Sequence, residues 1–244
     1  MDISEFDLHS RIEDVHWWFK ARRDIMLAAL RRYVPAHRGK LLAEIGCGTG
    51  GNLKFFRDYY RVVGVDRSPE AVKYTSENVN CEIFLGDFRD KLAGLWKDID
   101  AVILPDVLEH IDDDAVFLGD IVRSLKPDAV LLVTVPAHGF LWSNHDVVLG
   151  HRRRYSGKSL RMLWKGLDVT ELVFTPVNSF LFPAIAIYRL LKRADSGSGR
   201  SDLYLPSPLI NFLLYKIFSA EKAFMKLLPL PCGISYMAVL RKRG

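Results

Sequence analysis

The part of this sequence best suited to chemistry is a short apolar run that ends in an acid and is followed by closely spaced glycines. The run and its glycines occupy 41–52, and Glu44 precedes Gly46, Gly48, Gly50 and Gly51. Glycines after a strand let the backbone turn tightly, and the next helix points its free N–H groups at a ligand. A second apolar run ends in Asp66, whose carboxylate can accept hydrogen bonds from both ribose hydroxyls of a nucleoside. These features predict a nucleoside-binding site.

The elements that must position these residues alternate between strands and helices. Strand-like runs fall at 40–45, 61–65, 81–85, 100–104, 129–135, 168–180 and 233–243. Helical patterns fall between them at about 51–58, 69–78, 112–125 and 157–165, and Ser68 is the expected N-cap of the second. Alternation of this kind predicts βαβ units and a parallel sheet with helices on both faces.

The flanking segments suggest three units. Residues 1–38 have apolar positions at helical spacing and are followed by Gly39, which predicts an N-terminal helical cap over 1–39. The apolar but proline-broken stretch 181–232 predicts a helical insertion that serves as a lid or an interface. The core is then expected to comprise 40–180 plus 233–244.

Composition sets broad limits on the partners and location of the protein. The 244 residues are 49% hydrophobic, which is ample for a core, and the formal charge of +5 is compatible with an anionic substrate or an acidic membrane surface. The three cysteines match no zinc spacing and form a poor disulfide framework, so we expect no metal site and a cytoplasmic location. The polar start is not typical of a signal peptide, and no apolar run is long enough to predict a transmembrane helix.

Further motifs stand at the ends of the predicted strands. Glu44 lies two residues before Gly46, giving E-x-G-x-G-x-G, and Asp87 follows the third strand in FLGDF. The fourth and fifth strands carry ILPDVLEHIDDD and LKPDAVLLVTVPA. An NAD-binding Rossmann site also matches G-x-G-x-x-G, but Glu44 and Asp87 weigh against it. Together the motifs resemble the class I S-adenosylmethionine-dependent methyltransferases over about 40–180. The flanks HWWFKARR and HDVVLGHRRRY resemble a bacterial and archaeal branch with poorly defined substrates.

The resemblance implies a Rossmann-like α/β fold: a seven-stranded, mostly parallel sheet with an antiparallel last strand and a helical insertion before it. It implies a methyltransferase with S-adenosylmethionine as cofactor. Glu44 would orient the loop and meet the amino group of the donor, Asp66 would bind the ribose hydroxyls, and Asp87 would accept from the adenine amine. The residues expected to bind the cofactor are Glu44, Gly46, Cys47, Gly48, Gly50, Asn52, Asp66, Arg67, Asp87, Phe88, Leu104, Pro105 and Asp106. One departure is that Asp128 and Ala129 stand where the family often has two glycines.

The acceptor side is expected around 138–155, which follows the fifth strand at the edge where α/β sheets bind ligands. Histidine can take a proton near neutral pH, and arginine can clamp a phosphate or carboxylate. We therefore expect a small-molecule or lipid-like, anionic methyl acceptor, with His145 or His151 as the base. The residues expected to bind it are Trp17, Trp142, Arg152, Arg153 and Tyr155. The arginines at 152–154 cannot all point inward, so at least one should lie on the surface.

Other functions stay open. The HRRRY cluster is compatible with a nucleic-acid or protein methyltransferase, although no clear nucleic-acid module is present and the place of an Asn/Asp-Pro-Pro-Tyr motif reads LPDV. The fold could also keep the cofactor as a structural ligand without catalysis. The insertion 181–232 could fold over the site, form a homodimer contact, or lie on an anionic membrane. Its basic residues are Lys192, Arg193, Lys216, Lys222 and Lys226.

Overall fold

Seven strands form the central sheet of the computed structural model, which describes residues 3–192, 204–225 and 230–244. The strands are β1 (Leu41–Ile45), β2 (Arg61–Asp66), β3 (Glu82–Leu85), β4 (Ile99–Pro105), β5 (Val130–Pro136), β6 (Val169–Val177) and β7 (Ser235–Lys242). Their order across the sheet is β3-β2-β1-β4-β5-β7-β6. The first five are parallel, whereas β7 runs antiparallel to both β5 and β6. The predicted seven-stranded Rossmann-like sheet with an antiparallel last strand is therefore confirmed.

The central strands are fully buried because helices cover both faces of the sheet. Every residue of β1, β4 and β5 is buried except Asp100, which explains their nearly continuous apolar runs. The helices are α1 (Ile3–Ile12), α2 (Trp17–Leu30), α3 (Gly51–Phe56), α4 (Pro69–Asn78), α5 (Phe88–Lys91), α6 (Asp114–Ser124), α7 (Asn144–Val148), α8 (Gly157–Met162), α9 (Phe182–Lys192) and α10 (Pro208–Phe224). The expected N-cap of α4 is confirmed, since the Ser68 hydroxyl accepts from the backbone N–H of Ala71.

The N-terminal segment, for which the apolar spacing predicted helical structure over 1–38, contains a break that the spacing did not show. It forms two helices, and the break falls at His16, whose backbone is extended (φ −69°, ψ 132°). The Nδ1 atom of His16 accepts from the backbone N–H of Trp18 at 3.2 Å and so caps α2. Helix α2 ends at Leu30, before Pro35. Periodicity alone could not show this break, because the apolar spacing continues through it.

Asp128 makes the turn into β5 without a glycine. Its φ is +63°, a left-handed conformation that aspartate tolerates better than most residues. The strand that follows keeps its register with β4, with Ala101 opposite Val130. The departure from the family pattern therefore leaves the sheet intact.

The N-terminal helices and the insertion pack against each other beside the sheet. The Tyr215 and Ser219 hydroxyls of α10 donate to the Asp24 carboxylate of α2 at 2.7 and 3.0 Å. The Asn211 side chain accepts from the backbone N–H of Trp17 and donates to the carbonyl of Val15, each at 2.8 Å. These contacts join two distant parts of the sequence into one wall over the carboxyl edge of the sheet.

Part of the insertion lies outside the described residues, including Arg193 and Lys226. Within the described ranges, no helix combines the length and the apolar character that crossing a membrane would require.

Candidate functional site

A cavity of about 480 Å³ opens between the carboxyl edge of the sheet and this helical wall. The glycine loop after β1 forms one side of the cavity. Helices α2, α9 and α10 and the loop that precedes α8 close the other side. Its polar and charged lining residues are His9, Glu13, His16, Arg22, Glu44, Thr49, Asn52, Asp106, Glu109, His110, His145, His151, Arg154, Asn178, Tyr188, Arg189, Tyr204 and Ser235. The volume is in the usual range for a small-molecule site.

The glycine loop has the open backbone that a close-fitting ligand requires. Gly46 and Gly48 have positive φ values of +76° and +55°, which side-chain-bearing residues rarely adopt. The Gly48 N–H donates to Oδ2 of Asp66 at 2.9 Å, and its carbonyl accepts from the Thr75 hydroxyl at 2.7 Å. A Cβ atom built on Gly48 would meet no atom within 4 Å, so the backbone here borders open space. Hydrogen bonds to Asp66 and Thr75 fix the loop, and the side of Gly48 where a Cβ atom would lie is open to a ligand.

Glu44 is a buried acid with one unsatisfied oxygen. Its Oε1 accepts from the Asn52 amide at 2.8 Å, whereas Oε2 has no hydrogen-bond partner among the described residues. Burial raises the pKa of Glu44 to about 8, and the hydrogen bond from Asn52 only partly opposes this effect. An ammonium group of a ligand would supply the missing partner. The loop and this carboxyl therefore suit the amino-acid part of S-adenosylmethionine.

The structure brings about half of the expected cofactor residues to the cavity. Those that line it are Glu44, Gly46, Cys47, Gly48, Asn52, Pro105 and Asp106. Asp66 lies behind the loop, where its two oxygens accept from the backbone N–H groups of Gly48 and Ser68 at 2.9 Å each. Its predicted contact with the ribose stays a prediction, as does every residue role in this set.

The remaining expected cofactor residues make structural contacts. Asp87 caps α5 by accepting from the Arg89 N–H, and it forms an ion pair with Arg67. Phe88 packs in the core with its ring 5.0 Å from that of Phe117. Leu104 is fully buried within β4, and Gly50 lies against Thr75 at the start of α3. The cofactor roles expected of these residues stay predictions.

Asp106 stands at the carboxyl end of β4 in a left-handed conformation, as Asp128 does before β5. Its φ is +57°, and its carboxylate accepts from the Thr134 hydroxyl at 3.1 Å and pairs with Arg22 of α2. Unfavourable φ values in residues other than glycine concentrate at functional sites. The guanidinium of Arg22 also lies 4.2 Å from the ring centre of Trp18. Sequence reasoning noted Arg22 but gave it no site role, although its place in HWWFKARR put it one helical turn from Trp18.

His151 is oriented by a buried carboxylate. Its Nδ1 lies 2.9 Å from Oδ1 of Asp146, and the same oxygen accepts from Nε of Arg154 at 2.8 Å. Burial raises the pKa of Asp146, but the bonds from His151 and Arg154 outweigh it and hold that pKa below its ordinary value. The Nε2 atom of His151 is left facing the cavity, where Glu109 Oε1 is 4.0 Å away. Asp146 was not among the expected site residues.

His145 and His110 also line the cavity, and burial makes both poor bases. Burial, aided by Arg189, lowers the pKa of His145 to about 3. Burial and the nearby His151 lower the pKa of His110 to about 4. Of the two histidines predicted as the base, the geometry therefore favours His151.

Arg152, Arg153 and Tyr155 do not line the cavity, contrary to their expected contact with the acceptor. Arg152 pairs with Asp112, and Arg153 lies 3.1 Å from Asp114. The buried Tyr155 hydroxyl donates to Asp114 at 2.7 Å. Asp112 and Asp114 of the IDDD run lie opposite this loop. Their ion pairs and hydrogen bond hold the three side chains away from the cavity. Trp142 does not line the cavity either, whereas Trp17 and Arg154 do. As expected, the three arginines do not all point inward.

Comparison with known proteins gives one family match. Residues 43–133 match the family model described as a methyltransferase domain, a segment that runs from β1 through β5. It contains the glycine loop, Asp66 and the end of β4, but not the helical wall. No curated protein sequence matches the chain.

Solved structures share the fold at low sequence identity. A chain in the complex between the Haloferax volcanii Trm112 methyltransferase activator and a putative methyltransferase aligns with a TM-score of 0.61 and 19% identity, covering 98% of both chains. A putative sarcosine dimethylglycine methyltransferase from Galdieria sulphuraria aligns at 0.58 and 18%, covering 91% of this chain and 86% of that one. Phosphoethanolamine N-methyltransferase 2 from Haemonchus contortus, in complex with S-adenosyl-L-methionine, aligns at 0.56 and 18%, covering 89% of this chain and 52% of that one.

The family match confirms the methyl-transferring class of enzyme that the sequence motifs implied, and the structural likeness confirms the fold. Neighbours described as S-adenosylmethionine-dependent or solved with this compound agree with the expected cofactor. The glycine loop and the unsatisfied Glu44 carboxyl agree with both. Residues 43–133 of this chain therefore match a methyltransferase domain, and the described residues share the fold of S-adenosylmethionine-dependent methyltransferases.

Proposed function

We propose that this protein methylates a small, lipid-like and anionic acceptor that binds in the cavity beside the glycine loop. The observation that carries the proposal is that one cavity is lined by the expected donor-binding residues and by a separate wall of apolar and basic side chains. S-adenosylmethionine supplies an activated methyl group, whose transfer forms one bond to the acceptor, breaks one C–S bond and releases a thioether and a proton. The protein then has to position, desolvate and deprotonate the acceptor.

The donor side of the proposal rests on the loop. Glu44 and the open backbone at Gly48 would hold the amino-acid part, and Asp66 behind the loop would take the ribose hydroxyls. The carboxyl edge of the sheet at Pro105 and Asp106 would border the reacting group.

The acceptor side rests on the opposite wall. Apolar residues of that wall include Trp17, Leu149, Leu181, Ile185, Leu214 and Ile234. Arg189 stands among them, and Arg154 also lines the cavity but is paired with Asp146. An apolar chamber with an arginine in its wall suits a molecule that has a hydrocarbon part and an acidic group. His151 faces this chamber and is placed to act on the acceptor.

The outer faces of α9 and α10 support a lipid-like acceptor. Large apolar side chains there are exposed, among them Leu191 at 74% and Leu209 at 69% of their surface. Lys216 is exposed beside them on α10. Contiguous apolar surface flanked by lysine is typical of helices that lie on an anionic membrane. We therefore propose peripheral membrane contact, through which a lipid-like acceptor would reach the cavity. A homodimer contact on the same faces stays the alternative.

The nucleic-acid alternative loses its main support in the structure. The HRRRY cluster suggested a phosphate-binding surface, but Arg152 and Arg153 are paired with Asp112 and Asp114. Arg154 is turned inward onto Asp146. Paired arginines are poorly available to phosphates, so a nucleic-acid acceptor is the less favoured candidate.

The experiment is to incubate the protein with donor carrying an isotopically labelled methyl group and fractionated native extracts, and to analyse the products by mass spectrometry. The matched control is Asp66→Ala, which we expect to bind the donor poorly. Label in a small or lipid product that is absent with the control supports the proposal. Label in protein or nucleic acid would replace it with the first alternative. Donor binding without labelled product in any fraction would favour a non-catalytic role.

A further inference from the structure

We propose that Glu109, His110 and His151 form a binding site for a divalent transition-metal cation inside the cavity. One nitrogen of each imidazole and one carboxylate oxygen of Glu109 all lie within 4.8 Å of one another. The three residues line the cavity that the acceptor is proposed to occupy. The cysteine-based expectation of no metal site did not consider this set, because His151 lies about forty residues from the adjacent Glu109 and His110 and meets them only in the fold.

The two imidazoles are arranged as metal-binding histidines usually are. Such histidines commonly hydrogen-bond a carboxylate or a backbone carbonyl through the nitrogen that does not bind the metal. The Nδ1 atom of His151 lies 2.9 Å from the Asp146 carboxylate, and Nδ1 of His110 lies 3.3 Å from the carbonyl of Gly150. Each ring therefore keeps its Nε2 atom for a further partner. The ring centres of the two histidines are 4.9 Å apart.

Glu109 supplies an independent indication of a missing ligand. Its side chain is 0% exposed, and neither carboxylate oxygen has a hydrogen-bond partner among the described residues. The nearby guanidinium of Arg22 is paired with Asp106, and that of Arg154 with Asp146. A buried carboxyl without a partner is costly, and a bound cation would satisfy it.

The backbone fixes the two ligand-bearing segments to each other. The N–H of Arg152 donates to the carbonyl of Glu109 at 2.8 Å, and Nε of Arg152 donates to the carbonyl of His110 at 2.9 Å. The ligands lie on a short 3-10 helix, Leu108–His110, and on the loop after α7. This cross-link gives Arg152 a positioning role, in place of the substrate contact expected from the sequence.

The donor set selects the class of cation. Two imidazoles and one carboxylate are the ligands of many zinc and non-haem iron sites with an open position, whereas Mg²⁺ prefers oxygen ligands. The consequence for catalysis rests on the proposed function: an acceptor hydroxyl bound at the open position would lose its proton more readily. His151 would then act as a ligand, and the proton would leave to solvent.

Cobalt(II) is a suitable probe because its visible absorption reports ligation directly. Protein freed of metal by chelator dialysis would be titrated with Co²⁺ and, separately, with Zn²⁺ and Mg²⁺ by calorimetry. We expect stoichiometric Co²⁺ and Zn²⁺ binding, a visible absorption band that Zn²⁺ removes, and no comparable binding of Mg²⁺. The variants are Glu109→Gln and His110→Asn, and the surface variant His37→Asn is the matched control.

Glu109→Gln separates loss of the site from loss of the fold. Its amide has the shape of the carboxyl, and no described hydrogen bond is lost, so the metal-free variant should unfold at a temperature close to that of the wild type. Zn²⁺ should raise the unfolding temperature of the wild type and of His37→Asn but not that of Glu109→Gln. Absence of stoichiometric binding, or binding that Glu109→Gln leaves unchanged, would overturn the proposal. Calorimetry with the demethylated donor on the same samples tests the donor site separately.

Discussion

The side-chain amide of Asn52 donates to Oε1 of the buried Glu44 at 2.8 Å, whereas Oε2 of Glu44 has no hydrogen-bond partner among the described residues. The pair joins the end of β1 to the first turn of α3, across the glycine loop. Because burial raises the pKa of Glu44 to about 8, the free protein holds a mostly protonated carboxyl at neutral pH.

The first prediction is that donor binding releases a proton from Glu44. If the carboxylate receives the ammonium group, the proton must leave, so affinity for the demethylated thioether should rise between about pH 6 and pH 8 and level off above. The increase should approach about tenfold per pH unit at the lower end. Calorimetry in buffers of different ionisation enthalpy would count the proton. The control Glu44→Gln should bind more weakly and release none, and a flat affinity in the wild type would contradict the assignment.

The second prediction concerns Asp66. Asp66→Ala should lower donor affinity at least about tenfold, or about 1.4 kcal/mol, through loss of the ribose contacts. The substitution also removes the acceptor for the Gly48 N–H, so a control must disturb the loop by another route. Thr75→Val does so, because it removes the 2.7 Å bond to the Gly48 carbonyl. Calorimetry on both variants separates the roles: equal losses would mean that Asp66 acts only through the loop.

The third prediction uses two glycines with similar backbones. Gly48 and Gly166 both have positive φ, and a Cβ on either would meet no atom within 4 Å. Gly48→Ala and Gly166→Ala should therefore each lower the free energy of unfolding by about 1–2 kcal/mol. Gly48→Ala should in addition impair donor binding, since its methyl group would occupy the cavity. Denaturant unfolding and calorimetry would measure the two effects, and loss of donor binding in both variants would point to general strain.

The fourth prediction is that His151→Ala lowers turnover more than donor affinity. The imidazole of His151 lines the cavity on the proposed acceptor side. The prediction is the same whether this imidazole accepts the proton of the acceptor or binds a cation. Initial rates with the acceptor identified by mass spectrometry, together with donor titrations, would separate the two quantities. His145→Ala is the comparison, because the pKa of His145 is lowered to about 3 and makes it a poor base. Parallel losses of rate and donor affinity in His151→Ala would remove it from the acceptor side.

The fifth prediction tests the exposed faces of α9 and α10. Leu191→Asp and Leu209→Asp should each weaken binding to phosphatidylglycerol-containing vesicles by at least about tenfold, since each removes the transfer of one leucine, about 1.5–3 kcal/mol. Vesicle flotation measures this, and high salt should weaken wild-type binding. Val116→Asp on α6 is the control, because Val116 is equally apolar and 58% exposed. Should Leu191→Asp and Leu209→Asp float as the wild type does, the homodimer alternative would be tested next.

The sequence predicted the sheet well because strand identity depends on local apolar pattern and on glycines between elements. The positions of the strands along the chain, the glycine loop at 46–51 and the N-cap Ser68 followed from those patterns. The break at His16 did not, because it depends on one side chain folding back onto the N–H of Trp18.

The acceptor side was predicted less well, because its residues are placed by long-range pairing. Arg152 and Arg153 turn away since Asp112 and Asp114 lie opposite them, a contact across forty residues of sequence. Conversely, Glu109 reads as one more acid in a polar run, and its burial becomes visible only in the folded chain.

Helices α2 and α10, which contact each other, both lie outside the stretch that matches the methyltransferase model. This division of the sequence has an evolutionary consequence. Residues 43–133, which match the methyltransferase model, end before the histidine loop and the insertion, and begin after α2. The expected donor-binding residues lie within this stretch, whereas most residues of the proposed acceptor side lie outside it. Mutations that reshape the outer stretches can change what is methylated without disturbing how the methyl group is delivered. Relatives identified by the shared stretch alone should therefore differ widely in their substrates.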